Sequence, residues 1–160
     1  MERMMKVTQH LWFEKDMEAA VRFYTQLIPG SSLDWISAVP ADTPSGPAGS
    51  VRLAGFTLGD QRYMAIEAGP LDPFNHSFSI IVGCDSQDEI DRLWEALSEG
   101  GQVEQCGWLR DRFGLSWQIT PTRLGELMSD PDPAKAKRVT EAMLKMVKFD
   151  IAGLEAAARG

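Results

Sequence analysis

The chain has 160 residues, enough for one compact domain or two small fused modules. Hydrophobic residues make up 44% and charged residues 24%, an ordinary globular balance. The net charge of −7 argues against nucleic acid or an anionic membrane as partner, because phosphate recognition needs clustered Lys and Arg.

No apolar run approaches the roughly 18 residues of a spanning helix. "MERMMKVTQHLW" lacks the apolar run and small-residue cleavage site of a signal peptide. Cys84 and Cys106 are the only cysteines and form no CxxC, so a reduced pair in a cytoplasmic protein is expected.

In chain order, "KVTQHLWF" (6–13) reads as a strand. "DMEAAVRFYTQLI" (16–28) reads as a helix, with Ala20, Phe23, Tyr24 and Leu27 on one face and "PG" as its stop. "SLDWISAV" (32–39) is a strand, and the Pro- and Gly-rich "PADTPSGPAGS" (40–50) is an exposed loop. "VRLAGFTLGDQRYMAIEAG" (51–69) is a hairpin turning at Gly59-Asp60, which sets Arg52 opposite Glu67 and Phe56 opposite Tyr63.

The order then restarts. "SFSIIVGC" (77–84) is a strand and "SQDEIDRLWEALSEGG" (86–101) a helix. "VEQCGWLR" (103–110) reads as a strand, "DRFG" (111–114) as a turn and "LSWQIT" (115–120) as the last strand. "EAAVRFY" (18–24) aligns with "DEIDRLW" (88–94), placing Arg22 over Arg92 and Tyr24 over Trp94. An internal repeat outranks local readings because it fixes the architecture. The expected fold is α+β: two tandem βαβββ modules, 5–70 and 74–121. Together they make one domain over 1–124, and a helical extension occupies 125–160. In the extension Asp132-Pro133 is a helix start, and Val139, Ala142, Met143, Met146 and Val147 form an apolar stripe for the chain's own sheet or a second copy.

These residues carry a family resemblance. Two βαβββ modules with "DMEAAVRFY" after the first strand resemble the vicinal oxygen chelate superfamily of glyoxalases, extradiol dioxygenases and bleomycin-resistance proteins. "FSIIVGCDSQDEIDRLWEALSEGGQVEQCGWLRDRFGLSWQITP" and "LMSDPDPAKAKRVTEAMLKM" are similar to the PhnB-like branch, often labelled 3-demethylubiquinone methyltransferase. The resemblance implies that the two modules form curved, mostly antiparallel sheets around an open cavity, that the protein is a homodimer, and that metal ligands, where a member has them, lie on the first and last strands of each module. It puts those positions on Gln9, on Glu67, on Phe78 or Ser79 with His76 close by, and on Gln118, where metal-using relatives carry a glutamate.

Divalent metals favour imidazole, thiolate or carboxylate ligands, so two neutral amides make a poor set. No cofactor is therefore expected. The leading expectation is a small-molecule ligand in a cavity contacted by Gln9, Leu11, Tyr63, Glu67, Phe78, Trp108, Ser116 and Gln118. On the last strand Ser116, Gln118 and Thr120 should face that cavity while Leu115, Trp117 and Ile119 face the helices, and Gln9, Leu11 and Phe13 are taken to alternate likewise. The alternative is a metal-dependent lyase, isomerase or dioxygenase using Gln9, Glu67, His76 and Gln118. The second alternative is the methyltransferase of the label, although neither strand-to-helix turn, "FEKDM" or "VGCDSQ", is glycine-rich. His10 is expected to pack beside Trp12, and Cys106 to be a buried mid-strand hydrophobe.

Overall fold

The computed structural model describes residues 2–160 and divides the chain into two compact units, the first ending at Asp72 and the second running from Pro73 to Gly160. In the first unit, β1 (Gln9–Phe13), α1 (Met17–Leu27), β2 (Ser32–Ala38), β3 (Arg52–Leu58) and β4 (Gln61–Glu67) build one sheet in the order β1-β4-β3-β2. β1 runs parallel to β4, and the other pairs are antiparallel. The hairpin register is the one expected, Arg52 opposite Glu67 and Phe56 opposite Tyr63. Its turn uses Gly59 at φ +57°, where an L side chain would be strained.

α1 covers one face of this sheet. Met17, Ala20, Val21 and Tyr24 are its buried residues, and beneath them lie Leu11, Phe13, Ala54, Phe56, Leu58, Tyr63 and Ala65. Phe56 and Tyr63 stack with ring centroids 5.2 Å apart.

The second unit repeats the plan with β5 (Ser79–Cys84), α2 (Gln87–Ser98), β6 (Gln102–Val103), β7 (Trp108–Arg110) and β8 (Ser116–Pro121) in the order β5-β8-β7-β6. β5 runs parallel to β8, as β1 does to β4. Ser86 caps α2 by accepting from the Glu89 N–H at 3.2 Å. Ile90, Leu93, Trp94 and Leu97 of α2 are buried, as are Ile80, Leu109, Trp117 and Ile119 of the sheet.

One element differs from the sequence reading. "VEQCGWLR" is not a single strand but a tight reversal between β6 and β7. Cys106 and Gly107 both adopt positive φ, +56° and +80°, which folds the chain back on itself. The second module therefore has its full three strands after the helix, and Cys106 sits in a turn rather than mid-strand.

That turn is held from the far end of the chain. The Cys106 N–H donates to the Met146 carbonyl and the Gly107 N–H to the Val147 carbonyl, at 2.9 and 2.8 Å. A Cβ on Gly107 would fall 2.4 Å from the Phe149 ring, so only glycine lets the tail approach. The tail itself is α3 (Leu124–Met128), α4 (Pro133–Leu144) and α5 (Ile151–Arg159). Asp132 caps α4 with Pro133 in its first turn, as expected. Arg138 of α4 donates to the Ala157 and Ala158 carbonyls, satisfying the end of α5. Val139 of the stripe is fully buried, whereas Val147 is 39% exposed.

The β7–β8 turn has its own organiser. The buried Asp111 carboxylate accepts from the Phe113 N–H (2.8 Å), the Leu115 N–H (3.0 Å) and the Trp117 indole N–H (2.9 Å). Asp111→Ala would leave those donors without an acceptor in the interior, and a loss of about 3 kcal/mol is expected. Urea unfolding measures it, and a loss below about 1 kcal/mol would show that the turn holds without the carboxylate.

Candidate functional site

Each sheet has one face under its helix, and pleating sends alternate residues to the other. In the first unit Gln9, Leu11 and Phe13 lie on the helix-covered face. Their register neighbours Tyr63, Ala65 and Glu67 share it, and Leu11 and Tyr63 are buried there. This departs from the expected facing of β1 by one residue. Burial also holds the Tyr63 hydroxyl above the ordinary tyrosine range, with Asp60 adding to the effect.

Glu67 is committed to structure. Its Oε1 accepts the Met17 N–H at 3.0 Å, the first turn of α1, where Asp16 makes no side-chain cap. Arg52, its cross-strand neighbour, turns instead to Glu18 at 2.6 Å. Arg52 and then Arg22 hold the Glu18 carboxyl below the usual carboxylate range. Gln9 donates to the Gln61 side chain at 3.0 Å.

A cavity of about 460 Å³ on the first sheet is lined by Thr8, Trp35, Gly55, Thr57, Arg62 and Met64, and also by Phe56 and by Tyr63, one of the expected ligand contacts. Trp35 lies flat on the sheet because Gly55 has no side chain, a Cβ there falling 2.1 Å from the indole nitrogen. Asp34, displaced by the irregularity between Leu33 and Trp35, accepts from Thr57 at 2.8 Å. His10 is exposed rather than packed.

In the second unit the expected alternation on β8 holds: Leu115, Trp117 and Ile119 are fully buried, and Trp117 and Ile119 point to the helix side. Ser116, Gln118 and Thr120 take the opposite face. The register aligns this face into two rows. Gln102, Arg110, Ser116 and Ser79 form one, while Trp108, Gln118 and Ile81 form the next. Glu104, whose N–H donates to the Trp108 carbonyl at 2.9 Å, extends the second row.

Polar contacts tie the face together. The Gln118 amide donates to the Ser79 hydroxyl at 3.0 Å. His76, in the turn before β5, contacts Glu104 Oε2 through Nε2 at 2.7 Å and stands 6.2 Å from the Trp108 ring. Phe78 immediately precedes β5 and is 38% exposed. Three buried polar atoms on this face have no hydrogen-bond partner among the described residues: Glu104 Oε1, Arg110 Nε and Ser116 Oγ. Buried polar atoms are nearly always paired, so these three are the exceptions on this face.

The residues do not fit a metal. Gln9 and Glu67 sit four register positions apart on neighbouring strands, about 13 Å along the sheet at the usual rise. Two ligands of one ion, each about 2.2 Å from it, stand within roughly 4.4 Å of each other. Glu67 is occupied by α1, and Gln118 offers a neutral amide. No group of three His, Cys, Asp or Glu side chains able to hold an ion occurs among the described residues.

Sequence reasoning passed over Arg110 and Glu104. Arg110 alternates with Trp108 around the buried Leu109, a period-2 signal already present in the sequence and not used. Only the β6–β7 reversal brings Glu104 opposite Trp108.

A family model described as 3-demethylubiquinone-9 3-methyltransferase matches residues 5–120. Among solved structures, the chain is similar to the PhnB protein of Bacillus cereus, provisionally described as a 3-demethylubiquinone-9 3-methyltransferase. Identity is 32%, covering 73% of this chain and 99% of that one, with a TM-score of 0.63. Protein PA1353 of Pseudomonas aeruginosa is 26% identical over 74% of this chain and 98% of its own, at a TM-score of 0.57. The fosfomycin resistance protein FosX of Mesorhizobium loti shares the fold at 12% identity, over 81% of this chain and 100% of its own, at a TM-score of 0.55. No curated protein matches the chain.

Two outcomes follow from these contacts. Glu67→Ala should cost about 1 kcal/mol by uncapping α1, read as a lowered Tm. Burial first, and then Glu89 and Asp85, push the Cys84 thiol up to about 12. Unfolded, that thiol ionises near 8.5. Its contribution to stability is therefore complete below that pH and is lost as pH rises toward 12. Urea unfolding between pH 8 and pH 11 should show the decline, and Cys84→Ala should make it shallower.

Proposed function

The chain belongs to the PhnB-like family, the group described as 3-demethylubiquinone-9 3-methyltransferase, and from that premise we propose that it is a binding protein for a small organic molecule, held on the glyoxalase-like fold without a catalytic metal. The observation that carries this reading is the trio of unpartnered buried atoms on the open face of the second sheet, Glu104 Oε1, Arg110 Nε and Ser116 Oγ. A few convergent polar groups beside an aromatic wall are what orients a small ligand, and Trp108 supplies the wall here.

The ligand-facing residues in this reading are Trp108, Ser116 and Gln118, joined by Arg110, Glu104 and His76. Gln118 is fixed through Ser79, and His76 through Glu104, so both present one orientation. In the first unit, Leu11 and Tyr63 lie buried under α1 and Glu67 caps it. Any ligand there is met by Trp35, Arg62, Met64 and part of Tyr63 across the cavity of about 460 Å³.

The family description carries a methyl-transfer activity. This chain has no glycine-rich strand-to-helix turn of the kind that cradles a nucleotide-like cofactor, and its sheets are mixed four-stranded ones rather than a doubly wound parallel sheet. The binding reading therefore stands ahead of that description.

Native mass spectrometry of protein purified from its own host tests the proposal. A retained organic mass and no stoichiometric metal is the expected spectrum. Stoichiometric Ni, Zn, Mn or Fe would overturn the metal-free reading, and isothermal titration with the same ions should show no binding heat.

A further inference from the structure

We infer that the open face of the second sheet takes a small acid bearing a hydrogen-bond donor next to its carboxylate, that is, a hydroxy or amino acid. Its carboxylate rests on Arg110 and Ser116, and its donor on Glu104. The inference rests on the reading above, that this face is the ligand site, and adds the ligand's class.

The three unpartnered atoms do not ask for the same thing. Arg110 Nε can only donate, so it requires an acceptor. An unpartnered guanidinium Nε beside a buried hydroxyl suits a planar carboxylate, which the arginine fork can grip with two bonds. Ser116 lies directly across from Arg110 in the register, is fully buried, and its hydroxyl can donate to the same carboxylate. Glu104 Oε1 has the opposite need. An ionised carboxylate only accepts, so the atom that meets it must carry a hydrogen. A purely anionic ligand would leave Glu104 unsatisfied, and a purely neutral one would leave Arg110 so.

The spacing limits the size. Glu104 neighbours Trp108, and Trp108 is two residues from Arg110, so Glu104 and Arg110 are diagonal partners across adjacent strands. Such pairs lie about 7–8 Å apart. Both side chains are long, so a ligand that touches both at once is small, and Trp108 shares their face. His76, holding Glu104 Oε2 at 2.7 Å, leaves Oε1 as the free acceptor and fixes its direction.

Isothermal titration of the full chain at pH 7 with four probes tests this: lactate, alanine, propionate and 1,2-propanediol. Lactate or alanine should bind, propionate at least tenfold more weakly for want of the donor, and propanediol undetectably. Arg110→Met should abolish lactate or alanine binding while leaving Tm unchanged or raised, since it removes a buried donor without a partner. Ser116→Ala should weaken binding severalfold, also without loss of stability.

Equal affinity for lactate, propionate and propanediol would overturn the ligand class while leaving the site in place. A marked fall in Tm for Arg110→Met would assign that residue to structure and overturn its role. If no probe binds, yet protein from its host retains an organic mass that Arg110→Met does not release, the ligand class fails and the binding reading survives. If no probe binds and nothing is retained, both fail.

Discussion

The second module depends on one buried carboxylate. Asp111 gathers two backbone N–H groups and the Trp117 indole within six residues of chain, and so fixes where the β7–β8 turn begins and ends. A strand's side chains alternate, so a slip of one residue here would exchange its faces. Ser116 and Gln118 would go under the helix, and Trp117 and Ile119 would meet solvent. Burying Trp117 and Ile119 stabilises the chosen register by several kcal/mol at the usual value for large apolar side chains. Asp111 and that burial favour the same register, and both place Arg110 opposite Ser116.

The two modules share a topology but spend their acids differently. In the first, Glu67 stands at the end of β4 and is used by α1, whose own N-cap residue makes no capping bond. In the second, Ser86 caps α2 itself, so no strand carboxylate is needed there. Gln118, on the last strand of the second module, is thereby left to face the open side, held by Ser79.

Much of this was legible in the sequence. The helical repeat between Tyr24 and Trp94, the Gly59 hairpin with its register, and the clean polar-apolar alternation of "LSWQIT" all show in local pattern. β1 was harder, because "QHLWF" carries large apolar groups on both faces. Alternation there cannot say which set α1 covers, and Gln9, Leu11 and Phe13 proved to be the covered set. The β6–β7 reversal was not legible. It needs a non-glycine residue, Cys106, in left-handed backbone, stabilised by carbonyls of Met146 and Val147 some forty residues later. The place of Glu104 was hidden by that same reversal, since a single strand through 103–110 sets it six residues along the chain from Arg110 rather than diagonally across from it.

The central claim is that the register set at Asp111 makes the open face of the second sheet a metal-free site for a small acid. A crystal structure of the full chain soaked with lactate addresses it most directly. The account predicts the carboxylate within hydrogen-bond reach of Arg110 and Ser116, the hydroxyl on Glu104, and Trp117 beneath the helix. Lactate bound elsewhere, or a metal ion coordinated by Gln118, would contradict it.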